Sequence, residues 1–182
     1  MGNPIEIDDA IVLLLGTSVS GDRGGEIRGI TRLEKLIFLL ERETSSDKWL
    51  DENAGFEAYK FGPFSQRVYQ AVDTLAAAQL ITDSSSFTAD DVDTWEEREN
   101  IDETARGQDP YTTRDFKLTE RGWKYFAALS GELKPESLKE LQAFKRQFGF
   151  LPLRQLIRYV YLRYRDFTTN SIIRDDILGR EA

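Results

Sequence analysis

The sequence predicts a mainly α, α+β fold. Three observations point there. Apolar residues recur at the three-and-four spacing of a buried helix face in "RLEKLIFLLERE", "FSQRVYQAVDTLAAAQ" and "LRQLIRYVYLRYRDF". Strand-like stretches such as "LITD" and "DFKL" are short and lie between such segments. Capping residues open several helical runs, and glycine or proline ends or restarts them. With 182 residues, 40% of them hydrophobic, the chain can bury a core of its own.

In chain order, Asp8 is placed to cap a first helix that runs to Leu15 and ends at Gly16. The stretch "GTSVSGDRGGEIRG" reads as a Gly/Ser loop; it lacks the GK[ST] that a phosphate-cradling loop requires. Thr31 and Glu34 have the spacing of a capping box, and the helix that follows sets Leu33, Leu36, Ile37 and Leu40 at core spacing. Residues 56–61 read as a short strand. Gly62-Pro63 then turns the chain, with Pro63 near a helix start where its missing N–H costs little. The helix over 64–79 is expected to bury Phe64, Val68, Val72 and Leu75. "LITD" leaves it as a strand, and "DFKL" returns as a second strand into a helix capped by Thr119 and closed by Gly131. Pro135, with a Ser137/Glu140 capping box, starts another helix through about Phe148. Pro152 restarts the chain as a helix with Leu153, Ile157, Val160 and Tyr164 on one face and Leu156 at its edge. Ser171 caps a short last helix that stops at Gly179.

Composition excludes whole classes of chemistry. There is no His and no Cys, so histidine acid–base catalysis, Ser–His and Cys–His nucleophiles and His/Cys zinc sites cannot be built from this chain. The absence of cysteine also removes any disulfide framework and suits a reducing, cytoplasmic setting. No signal peptide is read at the N-terminus, and the longest apolar run, "AIVLLL" at 10–15, is a buried helix segment too short to span a bilayer. The net charge of −8 is uneven: residues 1–81 carry 13 acids and 8 bases, 82–116 carry 11 and 3, and 117–182 carry 8 and 13. Residues 82–116 therefore match the entire excess. They read as a long acidic insertion between two strands, with room for a short helix near Trp95.

Helix, helix, short strand, helix, then two strands around a loop is the winged-helix order. Within it, Ser65, Val68, Val72, Leu75 and "QLI" resemble the third helix and first wing strand of MarR- and PadR-type regulators, and "FKLTERGWKYF" resembles the second wing strand and the helix after it. A closer resemblance is to the YwgA-like proteins and the related SocA-like antitoxin group. It is carried by "LEKLIFLL", "YKFGPFS", "LTERG" and "LIRYVYLRYRDFTTNSII" and covers most of the chain outside 82–116. Gln79 stands where that pattern usually has Gly, Asp166 where Pro is common, and the wing is long and acidic. The SocA-like resemblance implies non-enzymatic, protein-binding roles such as toxin neutralisation or adaptor work.

Two faces are candidate binding sites. On a helical wheel of about 100° per residue, the third helix turns Gln66, Arg67, Gln70, Asp73, Thr74 and Ala77 outward. Gln66, Arg67, Gln70 and Thr74 could read bases, but this face holds one base and one acid, and the acidic wing beside it repels phosphate. The late basic helix carries a stripe of Arg154, Arg158, Tyr161 and Arg165, suited to an acidic partner. The leading expectation is therefore a non-catalytic, cytoplasmic regulatory module that contacts another protein. It has a winged-helix-type domain at 1–131 and a helical extension at 132–182 that packs on it or forms a homodimer. A DNA-binding transcriptional regulator is the alternative. No enzyme activity, cofactor or metal is expected. "ADDVD" at 89–93 lacks the full calcium-loop pattern, and an E-x-K triplet such as "ELK" is expected by chance about 0.7 times from 16 Glu and 8 Lys.

Overall fold

The centre of the molecule is α1 (Ile7–Gly16), whose apolar run is enclosed on every side: Ile11 through Leu15 are all 0% exposed. A helix apolar all round belongs inside other elements, and the helices Gln66–Ala77 and Glu120–Glu132 and the strands Glu26–Arg28 and Asp115–Leu118 all pack on it. The computed structural model describes residues 3–59, 62–84, 86–87, 112–169, 171 and 177–178. Among these residues the chain is α+β, with six α-helices and small antiparallel sheets.

The start of α1 is not capped by Asp8. The Glu6 N–H, one residue before the helix, donates to the Asp9 carboxylate at 3.0 Å. At the other end, the buried Lys145 ammonium donates to Leu15 O (3.0 Å) and Thr17 O (2.7 Å), satisfying carbonyls near the helix end. The Gly/Ser segment that follows is more than a loop. It contains β1 (Glu26–Arg28), which pairs with the later strand Asp115–Leu118 and buries Ile27.

Gly29, at φ +91°, precedes α2 (Ile30–Glu43). The helix begins at Ile30 with Gly29 at the cap position, so Thr31, expected to open a capping box with Glu34, lies inside the first turn and not at the cap, and Glu34 is engaged by later residues. Its Oε1 accepts from Lys35 Nζ at 2.9 Å and its Oε2 from the Ser65 N–H at 3.2 Å, while Lys35 also donates to Pro63 O at 2.9 Å. Both side chains are fully buried. A 3-10 turn (Ser46–Lys48) follows, then β2 (Glu57–Tyr59) and β3 (Gly62–Phe64), paired antiparallel with Ala58 opposite Pro63. Gly62-Pro63 is thus strand rather than helix start, and Pro63 is tolerated because β3 pairs on one side only. Gly62 has φ +85°, and a Cβ there would lie 2.6 Å from Tyr161 Cε1.

Ser65 caps α3 (Gln66–Ala77): its Oγ accepts from the Val68 N–H at 3.3 Å and donates to Ala54 O at 2.6 Å. Val68, Ala71, Val72 and Leu75 are buried, whereas Phe64 is half-buried on β3. Past the helix end Gln79 takes φ +61°, the left-handed conformation usual for glycine at this position. β4 (Ile81–Asp83) and β7 (Asp115–Leu118) then complete a three-stranded sheet of order β1-β7-β4. Between them β5 (Ser86–Phe87) pairs with β6 (Thr112–Thr113). The acidic insertion beyond that ladder, including the helix expected near Trp95, lies outside the described residues.

Thr119 caps α4 (Glu120–Glu132), accepting from the Gly122 N–H at 3.0 Å. α5 (Pro135–Phe148) begins at Pro135, not at Ser137. Glu140, the expected box partner, instead accepts from the Ser45 N–H (2.7 Å) and Ser45 Oγ (3.0 Å). α6 (Leu153–Arg163) and the 3-10 turn Arg165–Phe167 follow. Leu141, Phe144, Phe148, Leu153, Leu156, Ile157 and Val160 join the same apolar cluster as α1 and α2, so the C-terminal helices pack on the earlier part of the chain. Of the last helix, Ile177 and Leu178 are described as helical and the rest lies outside the described residues. No helix among the described residues is long and apolar enough to cross a membrane.

Candidate functional site

The outward face of α3 exists as expected: Gln66, Arg67, Gln70 and Thr74 are all exposed. Its charges, however, are engaged within the molecule. The Arg67 guanidinium is ion-paired with Glu52, whose second carboxylate oxygen accepts from the Ile7 N–H at 2.9 Å. Thr74 Oγ1 donates to Gln70 O at 2.9 Å, back along the helix. Asp73 accepts from Arg114 Nη2 at 2.9 Å.

Arg114 is the clamp of this region. From the β6–β7 junction its Nε and Nη2 also reach Asp83 Oδ2, at 2.9 and 2.6 Å, and its own carbonyl accepts from the Gly29 N–H at 3.0 Å. One side chain thus ties the root of the insertion to β4 and to α3. Burial alone would lower its pKa, but hydrogen bonds and charge from Asp83 and Asp73 hold it above the usual arginine value. Sequence reasoning missed Arg114 and Glu52. Both sit far along the chain from their partners, and neither belongs to a periodic pattern.

The outward face of the three-stranded sheet has the same character. Arg28 stands opposite Asp115, and Glu26 opposite Lys117, so bases alternate with acids across the strands. Within this face Arg28 Nε lies 3.4 Å from Glu26 Oε1 on its own strand.

On α6 the expected stripe of Arg154, Arg158, Tyr161 and Arg165 must be corrected. Tyr161 is 0% exposed, with its hydroxyl 2.7 Å from Ser171 Oγ. It therefore belongs to the core and cannot contact a partner. Arg154, Arg158 and Arg165 are exposed; Arg158 donates to Ile177 O at 3.2 Å, and Arg165 lies beyond the helix in the 3-10 turn. Leu162, between Arg158 and Arg165, is exposed as well, at 48%. The C-terminal end of α6 is fastened to α2 through Glu43, which accepts from Tyr159 (3.1 Å), from Arg163 (2.7 Å) and from the Tyr164 hydroxyl. Burial and the Glu43 carboxylate push the Tyr164 phenol up to about 12.

No family model, curated protein or solved structure matches this chain.

Proposed function

We propose that this chain is a non-catalytic regulatory module that binds another protein, in the manner of an antitoxin or adaptor, on a winged-helix-type scaffold. Support for the scaffold comes from the strand order β1-β7-β4 with α3 leading into β4 and the β5–β6 ladder between β4 and β7. The observation that carries the functional part is the pairing of charge. On the α3 and sheet faces Arg28, Arg67 and Arg114 are ion-paired with acids, and Lys117 stands opposite Glu26 in the strand register.

Affinity for a nucleic-acid backbone comes from Lys and Arg that exchange counterions for phosphates, commonly 6–10 of them per site, roughly speaking. Paired bases contribute little to that exchange, and the outward face of α3 keeps only neutral Gln66, Gln70 and Thr74 for base contact. A surface of balanced charge and amide groups suits recognition of a protein, where charge pattern sets the partner and the register. The test is fluorescence anisotropy of a labelled duplex of mixed sequence, titrated with the whole chain from low to physiological salt. No saturable binding is expected. A saturable curve whose affinity falls steeply with salt and is lost in Arg67→Ala would replace this proposal with the DNA-binding alternative.

A further inference from the structure

Away from α3, a groove of about 500 Å3 opens between the N-terminal segment, the turn after α2 and the α4–α5 junction. Its apolar lining comes from Ile5, Leu133 and the half-buried Trp49. Four carboxylates line it as well, Asp51, Glu132, Glu136 and Glu140, against two ammonium groups, Lys48 and Lys134.

The walls are held in place by their own hydrogen bonds. Asp51 accepts from the Ile5 N–H at 2.9 Å while its backbone N–H donates to Ile5 O at 2.8 Å, which joins the N-terminal segment to the turn. Glu140 binds Ser45 twice, which joins the turn to α5. Glu132 and Glu136, by contrast, are exposed, and among the described residues neither has an ion-pair partner. A groove with fixed walls, an indole and two unengaged carboxylates is pre-organised for a cation borne on an apolar stem. The ordering left for binding to impose is that of the two exposed glutamate side chains.

We propose that this groove is the contact surface for a basic segment of a partner protein, an Arg or Lys side chain meeting Glu132 and Glu136 and passing over Trp49. The proposal rests on the protein-binding function above and names its site and the chemistry of its partner. Charge complementarity selects the occupant, since the lining is net acidic and so is the chain, at −8. Arginine fits better than lysine because its flat guanidinium can stack on the indole and bind a carboxylate in two-pronged fashion.

The probe is a labelled short peptide alternating Arg and Leu, titrated into the whole chain, with a Glu-for-Arg version as the control. Glu132→Lys/Glu136→Lys is expected to weaken Arg-peptide binding at least about tenfold, since two attractions become repulsions. Trp49→Phe, which keeps an aromatic ring in the packing, weakens it about threefold. Glu57→Lys/Glu120→Lys changes the net charge equally on exposed sites elsewhere and alters affinity less than about twofold. Circular dichroism confirms that each variant is folded. Equal binding by all variants, or no binding of the Arg peptide by the parent chain, overturns the groove but leaves the protein-binding function standing. That function falls instead if the labelled duplex, titrated alongside, binds through α3.

Discussion

Replacing Glu34 by alanine removes one half of a fully buried ion pair and tests the joint between α2 and the start of α3. Lys35 would keep its contact with Pro63 O but lose the carboxylate 2.9 Å away. The Ser65 N–H, on a residue 1% exposed, would lose its acceptor as well. Breaking a buried pair by removing one partner costs about 3–5 kcal/mol, a large part of a typical domain stability of roughly 5–15 kcal/mol. In Glu34→Leu/Lys35→Met no buried charge remains. The Ser65 N–H and Pro63 O are left unpaired, at about 1 kcal/mol or somewhat more each, so the double variant should lose about 2–4 kcal/mol. The cycle of Glu34→Ala, Lys35→Met and the double variant Glu34→Ala/Lys35→Met should then show a coupling of at least about 2 kcal/mol. Urea unfolding followed by circular dichroism reads all of these. Single variants costing under about 1 kcal/mol, or costs that simply add, would refute the description of a dry, mutually dependent pair.

Other outcomes follow from the same structure. Burial lowers the Lys145 ammonium to about 8 from 10.5, so its charged form costs stability in full below the folded value, and the cost is relieved as pH rises toward the unfolded one. The urea midpoint should therefore climb between about pH 8 and 10, by no more than about 3 kcal/mol in stability, and Lys145→Met should flatten that climb. Above pH 10 the opposite trend takes over, because Tyr164 and Tyr125 are held protonated in the fold and must stay so. Gly62→Ala forces a Cβ against Tyr161 at a positive φ and should cost about 2–4 kcal/mol in the same unfolding assay. Gln79→Gly relieves the left-handed backbone at φ +61° and should leave stability unchanged or raise it by up to about 1 kcal/mol, seen as a higher melting temperature.

Much of the helical scaffold was legible in the sequence because apolar spacing survives any tertiary detail: Val68, Val72 and Leu75 on α3, or Leu33, Leu36 and Ile37 on α2, are buried where the period puts them. The N-caps at Ser65 and Thr119 lie at helix starts that the pattern also marks. What failed was whatever depended on a distant partner. Glu34 and Glu140 have the spacing of capping residues, but Ser65 and Ser45 claim them across the fold. β1 is three residues long with a single buried side chain, too short for alternation to show, and its glycine-rich flanks read as loop. On α6, Tyr161 and Arg154 are separated by only about 20° on the wheel, and the buried arc is wide enough to take in the tyrosine. The candidate site was less legible still. The residues of the α3 face could be named, but not the groups that neutralise it, because Glu52 reaches Arg67 and Arg114 reaches Asp73 only through the fold.

The most direct test of the central claim is a map of backbone amide shifts on the isotope-labelled whole chain, with the Arg–Leu peptide and the duplex added separately. The account predicts that the peptide moves signals at 3–5, 45–51 and 132–140, and that the duplex leaves α3 unmoved. Saturable shifts at Gln66, Arg67, Gln70 and Thr74 on adding the duplex would contradict it and make α3 the working surface of the molecule.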